Sequence, residues 1–254
     1  MARSNETNIA RLYHLHSSHV RARSVDPAHE VDLHPPRFRV YPGSLRVALP
    51  GRDFALDAPL GAVLERRRSL REYVRATMPL ETLGRLLYAS YGVRGSREVE
   101  GDLNYERSAP SAGARYPLEI YLATQSVEGV EDGIYHYDPR AHELELRRVG
   151  LAQPTLMDLA IGQAMVGEAN VVLIITALAM RTMWKYGQRG YRYLFLDAGH
   201  LGQNVYLSAT ALGLCPAALG GFFDGELNAL LELPSDEEAI YLICVGQPAP
   251  GSPP

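Results

Sequence analysis

Apolar and polar positions are most strongly ordered between Tyr191 and Leu212. Leu194, Ala198, Leu201, Val205, Ser208 and Leu212 recur at alternating spacings of four and three, which lays one stripe along a helix. Beside it runs a second stripe, Phe195, Gly199, Gly202, Tyr206 and Ala209, whose small residues let another backbone approach. The spacing predicts a long helix from about Tyr191 to Leu212, buried on most sides and suited to being shared with a second subunit. Asp197, His200, Gln203 and Asn204 interrupt the apolar surface. They are either satisfied core polar groups or ligand-facing ones, and the pattern leaves both readings open.

Weaker patterns predict the remaining elements. Pro59 opens a short helix with Leu60, Val63 and Leu64 as its apolar face, and Pro79 opens another with Leu80, Leu83, Leu86 and Leu87. Gly92 and Gly95 end that helix, and the polar run from Ser96 to Glu106 reads as a mobile loop. Leu118–Thr124 alternates as a strand, and a hairpin follows from Ile134–Tyr137 to Leu144–Val149. Gln153–Ile161 reads as a helix. Val171–Ala179 and Ile240–Val245 are nearly continuous apolar runs, as expected of strands covered on both faces. Residues 1–56 carry scattered prolines (Pro27, Pro35, Pro36, Pro42, Pro50) and read as an arm around one domain spanning 57–254.

Composition narrows the classes of function. At 254 residues and 46% hydrophobic, the chain can bury a sizeable core, and its net charge of −4 offers no global field for nucleic acid. Cys215 and Cys244 are too few and too far apart for a zinc site, and they read as buried free thiols. With no apolar signal core and no membrane-spanning run, a cytoplasmic protein is expected. His14, His16 and His19 cluster without interleaved acids or cysteines, so a surface arm is expected there and no metal site. The 15 tyrosines, against 5 phenylalanines and 1 tryptophan, suit polar, aromatic-lined cavities.

Four segments carry candidate chemistry. In Glu65–Tyr73, an extended backbone would point Arg67, Ser69 and Arg71 the same way, giving two guanidinium forks and a hydroxyl for a phosphate; a solvated basic patch is the alternative. Ser108–Ala114 has only small residues and one proline, so its backbone can approach something flat. The pair Lys185–Tyr186 and the turn Leu219–Gly220–Gly221 complete the set. No Ser-His-Asp elbow, Walker loop or dinucleotide fingerprint is present, and Gly187–Arg192 is wrongly spaced for one. A phosphate clamp with flat-ring loops suggests a mononucleotide-like cofactor, with flavin mononucleotide (FMN) the natural choice.

In order along the chain, RRSLR, PSAGARYP, the long helix with its GLC exit, and ALGGF resemble the nitroreductase-like flavoprotein superfamily. YHLHSS, PSAGARYPLEIY, GIYHYDPRAHELE, KYGQRGYRY and DAGHLGQNVYLSATALGL resemble its SagB-type dehydrogenases, the FMN-dependent azoline oxidases of ribosomal peptide pathways. The resemblance covers essentially the whole chain. It implies an α+β nitroreductase-like fold, a central mixed sheet flanked by helices, and an obligate homodimer with FMN between subunits. By that likeness Arg67, Ser69 and Arg71, with Arg68 beside them, would hold the FMN phosphate. Pro110, Ser111 and Gly113 would reach the flavin ring from the other subunit, and Leu219, Gly220 and Gly221 would offer amides near its reactive edge.

Two positions depart from the broader pattern: Ala114 and Tyr116 stand where nitroreductases carry asparagine and glutamine. The usual C-terminal basic anchor is also missing, which leaves Arg107 or Arg192 as a substitute, or a weaker phosphate site. The resemblance points to Lys185 and Tyr186 as the proton-transfer pair in oxidising thiazolines or oxazolines to thiazoles or oxazoles. A free phenol and a lysine titrate near ~10 and ~10.4, too high for a good base, but a neighbouring cation favours phenolate and a dry pocket favours neutral amine. An azoline-containing peptide, a homodimer and a cyclodehydratase complex are the implied partners, without nucleic acid or membrane. The alternatives are an NAD(P)H-dependent nitro- or quinone reductase and a non-catalytic flavin-binding scaffold subunit.

Overall fold

The computed structural model describes residues 9–18, 35–99 and 102–249. His19, Pro27 and the final Gly-Ser-Pro-Pro fall outside them. The helices are α1 (Ile9–His16), α2 (Leu60–Arg66), α3 (Leu80–Tyr91), α4 (Gln153–Leu159), α5 (Ala164–Glu168), α6 (Met180–Tyr186), α7 (Gln188–Ala211) and α8 (Asp224–Leu230). The strands are β1 (Arg46–Ala48), β2 (Tyr73–Val74), β3 (Val93–Val99), β4 (Asp102–Arg107), β5 (Leu118–Thr124), β6 (Gly133–Asp138), β7 (Glu143–Val149), β8 (Val171–Ala177), β9 (Cys215–Leu219) and β10 (Glu238–Pro248).

Eight strands form one sheet in the order β1-β7-β6-β5-β8-β10-β2, with β9 also on β10. Every ladder between its strands is antiparallel. Parallel pairing among the described residues is confined to the bridge Met78–Val127. The run at 171–177 is buried throughout because helices cover both faces. On one face Leu118, Ile120, Leu122, Leu173, Ile175 and Ile243 pack with α3 and with Leu194, Leu201 and Val205 of α7. On the other, Tyr121, Ile134, Val172 and Ile174 meet Leu156, Val166 and Leu227 from α4, α5 and α8.

That second face also carries a polar network. His136 lies between Glu145 (Nδ1–Oε2 2.9 Å) and Glu119 (Nε2–Oε2 3.1 Å), and Arg181 pairs with Glu119 at 2.7 Å. The arm closes over it. The Arg39 amide donates to Glu119, its guanidinium pairs with Glu237, and the Tyr41 and Tyr121 hydroxyls meet at 2.5 Å.

Several sequence expectations change. The long helix starts at Gln188, earlier than its apolar stripe, because Gly187 makes a corner (φ 56°, ψ −146°) that lets α6 run straight into α7. Lys185 and Tyr186 therefore end a helix. The expected mobile loop at 96–106 is the hairpin β3–β4, whose cross-strand pairing outweighs its polar composition. Only Val63 of α2 is buried; Leu60 and Leu64 are exposed. One side of α7, with Phe195, Leu196, Gly199, His200 and Gln203, is likewise exposed on the single chain, while the rest of the helix past Gln188 is buried or half-buried, as its stripes predict. His14 and His16 lie on a helix that docks onto α7, where Arg192 reaches the His14 carbonyl and Ser17, and Tyr13 packs edge-on against Tyr191.

Candidate active site

The small-residue loop is held from several sides. The Ser111 hydroxyl bonds the Asp197 carboxylate at 2.5 Å and accepts the Tyr116 amide at 2.8 Å. The Tyr116 hydroxyl accepts the Arg107 amide, and the Arg181 guanidinium donates to the Tyr116 carbonyl. These bonds sustain left-handed backbone at Ala114 (φ 53°) and Tyr116 (φ 47°), conformations that cost non-glycine residues of order 1 kcal/mol each. Such strain persists only where the surroundings over-determine it. Asp197 thus proves to be a satisfied core group, although burial pushes its carboxyl above the usual range. Asn204 is satisfied too, donating to the Ser90 carbonyl, while His200 and Gln203 face outward.

Lys185 and Tyr186 meet this loop. At Gly113 (φ 58°) a Cβ would collide with the Tyr186 hydroxyl and lie 3.3 Å from Lys185 Nζ. Tyr186 is half-buried, Lys185 is exposed, and the ammonium lies 5.6 Å from the Tyr186 ring centre. Burial pushes the Tyr186 phenol upward, and the cation that opposes the push is Arg115, not Lys185. Burial thus outweighs any neighbouring cation at the phenol, while Lys185 Nζ and the Tyr186 hydroxyl both face the point where a Gly113 Cβ would stand. Pro110, Ser111, Gly113 and Lys185 line one open cleft of about 920 Å³, joined by Trp184 and Arg115.

The arginine segment lies elsewhere. Ser69 and Tyr206 hydroxyls meet at 2.9 Å, and the Arg67 guanidinium lies 5.6 Å from the Tyr206 ring centre. The Tyr206 hydroxyl also accepts the Ala218 amide, and the Leu70 amide donates to the Pro216 carbonyl, which ties the segment to β9. Arg71 is exposed. Arg68 folds back onto the carbonyls of Glu65 and Arg67, capping the C-terminal end of α2. Gly220 and Gly221, just past β9, are exposed as well. Along α7, Tyr206 lies about 14 Å from Asp197, so the arginine segment and the small loop stand apart on one chain. Arg192 docks α1, about 21 Å from Tyr206 along α7. Arg107 is enclosed by Phe38, Tyr91 and Tyr116.

Donor chemistry at the two places fits a flat, phosphorylated cofactor: exposed guanidinium groups and a hydroxyl at one, and close-approach backbone beside titratable groups at the other. No group of metal-ligating side chains occurs among the described residues, and no helix in them is long and apolar enough to cross a membrane.

Residues 64–247 match the nitroreductase family. The chain belongs to that family. A relative described as a nitroreductase in Methanocaldococcus jannaschii is 40% identical over 204 residues, which is 80% of this chain and 97% of the relative. The microcin B17-processing protein McbC of Escherichia coli is 29% identical over 132 residues, covering 50% of this chain and 48% of McbC. A nitroreductase-like structure from Anabaena variabilis superposes with a TM-score of 0.74 at 27% identity, over 93% of this chain and 46% of that one. A chain of the E. coli microcin synthetase McbBCD complex with truncated pro-MccB17 bound superposes at 0.64 and 21% identity, over 95% and 92%, a likeness of fold alone. Members of the family are generally flavin oxidoreductases, and peptide-processing proteins stand among this chain's relatives.

Sequence reasoning overlooked Asp197 as the anchor of the loop, and it overlooked Tyr206, Arg115 and Trp184. Asp197 was visible as a polar break in an apolar stripe. Nothing in one sequence pairs it with Ser111, because the partners come from distant segments.

Proposed function

We propose that this chain is an FMN-dependent oxidoreductase that dehydrogenates thiazoline or oxazoline rings in a ribosomally made peptide. The observation that carries the reading is that Lys185 and Tyr186 both meet Gly113, and that Lys185 and the Pro110–Gly113 loop line one open cleft. The peptide-processing relatives support a peptide substrate.

Aromatising the ring removes one C–H proton to a base and one hydride from another ring carbon. FMN, when bound, supplies the hydride acceptor. Arg67, Ser69 and Arg71 would hold its phosphate, and Gly220 and Gly221 would offer amides to its ring. Tyr186, pushed upward by burial, keeps its proton at neutral pH and is suited to donate a hydrogen bond to the ring heteroatom. Lys185 is then the candidate proton acceptor. Asp197 acts through Ser111, holding the loop against the substrate.

The test is mass spectrometry of an azoline peptide incubated with the purified yellow protein. Loss of two hydrogens per ring is the expected result. An unchanged peptide, together with steady NADPH oxidation by a nitroaromatic or quinone, would favour the second reading, a nicotinamide-dependent reductase. The long match to the M. jannaschii relative speaks for that alternative. A colourless protein would leave only a scaffold role.

A further inference from the structure

The same cleft has a second property, its charge. Arg94, Arg97, Arg107, Arg115 and Lys185 line it, against a single acid, Glu106. This concentration of positive charge sits on a chain whose net charge is −4. Glu106 pairs with Arg97 at 3.4 Å. Arg94 is exposed and has no acidic partner among the described residues.

Arg107 forms the floor. It is 2% exposed, and its Nε and Nη1 have no hydrogen-bond partner. Its Nη2 donates to the Arg37 carbonyl, and three aromatic rings hold the rest of the guanidinium, with centres 4.5 to 4.9 Å away at Tyr91, Phe38 and Tyr116. A buried cation without a carboxylate of its own is screened little by salt, so its field reaches into the cleft.

We infer that the cleft selects an acidic peptide, binding carboxylate side chains that flank the segment presented to Lys185 and Tyr186. The inference rests on the proposed peptide substrate and adds the chemistry that recognises it. Guanidinium forks match carboxylates bidentately. A peptide suits the architecture better than a dinucleotide. Arg94, Arg97 and Arg107 sit on β3–β4, a two-stranded ribbon that pairs with no other strand among the described residues and so can take an extended chain at its edge.

The test measures binding, not turnover, by fluorescence anisotropy on the full chain with bound cofactor. Three labelled, unmodified peptides of equal length carry Glu, Gln or Lys at the same positions. The Glu peptide should bind about tenfold or more tightly than its Gln counterpart, with a strong dependence on salt, and the Lys peptide weakest. Arg94→Gln with Arg97→Gln should abolish that preference while the melting temperature stays unchanged. These two positions are exposed, so the variant tests charge without opening the core. Equal binding of Glu and Gln peptides by the wild type would overturn the inference. So would an NADPH affinity lost in the double variant while peptide preference persists, which would assign the cleft to a dinucleotide. An acidic preference without azoline turnover would leave the cleft's selectivity standing and remove only the proposed reaction.

Discussion

At the scale of single residues, the site turns on Lys185, Tyr186 and Gly113. Tyr186→Phe removes one hydroxyl and keeps the packed ring, so a loss cannot be blamed on a cavity. Turnover should fall by about 10² to 10⁴ while FMN stays bound. If Lys185 is the proton acceptor, Lys185→Arg should be nearly as damaging as Lys185→Ala, because a guanidinium keeps the charge but cannot supply a neutral base. Substantial rescue by arginine would mean that only the charge matters. Both variants turning over at the wild-type rate would return the pair to a structural role. Gly113→Ala probes the same contact from the other side. Its left-handed φ and the facing Tyr186 hydroxyl both disfavour a Cβ, so the variant should lose about 1 kcal/mol of stability and most of its activity. A fully active, equally stable alanine variant would mean that the loop and Tyr186 part freely.

At the scale of elements, strands β5, β6 and β7 are stitched by a buried charge relay. Burial pushes Glu119 upward, yet Arg181 and His136 outweigh it and hold the carboxyl down at about 2. Its stabilising contribution is complete above the unfolded value of 4.5 and is lost as pH falls towards 2. Burial pushes His136 downward, yet its bonds to Glu119 and Glu145 win and raise it. That contribution is complete below the unfolded value of 6.5 and is lost as pH rises through the raised folded value. Stability from this network should therefore peak between about pH 4.5 and 6.5. His136→Gln should cost about 1–3 kcal/mol, because it takes one charge-assisted partner from each of two buried carboxylates that keep Arg181 and Arg46, and should flatten the alkaline limb. Urea midpoints across pH measure both; an unchanged alkaline limb would show that His136 is not charged in the fold. None of this network was legible in the sequence. Glu119 and Glu145 read as the alternate positions of strands, whereas the arm and Arg181 make that face interior.

At the scale of the whole molecule, the single chain leaves one side of its long helix uncovered. Phe195 and Leu196 are 47% and 56% exposed, and Leu60 and Leu64 on α2 are more than half exposed. Apolar area of this kind on one side of a structural helix marks an interface. The two halves of the cofactor chemistry, at Ser69–Tyr206 and at Ser111–Asp197, also stand apart on one chain. A two-fold dimer that brings one half against the partner's other half accounts for both observations. Light scattering should show a dimer. Leu196→Glu should yield a folded monomer that loses FMN, and a wild-type monomer with a full complement of FMN would refute the arrangement.

Periodicity in the sequence was enough to determine the long helix, the helix after Pro79, the hairpin and the two central strands. Those signals are local, since apolar positions recur wherever a face is buried. Ordered motifs were enough for the family. What the tertiary structure decided was which distant residues meet: Asp197 with Ser111, Tyr206 with Ser69, and Arg107 with three rings. It also turned a polar run into a hairpin and placed Lys185 at the end of a helix. The physical reason is that cross-strand pairing, helix corners and buried charge are satisfied by partners far away in the chain. A single sequence carries no record of those separations until the sheet has brought them together.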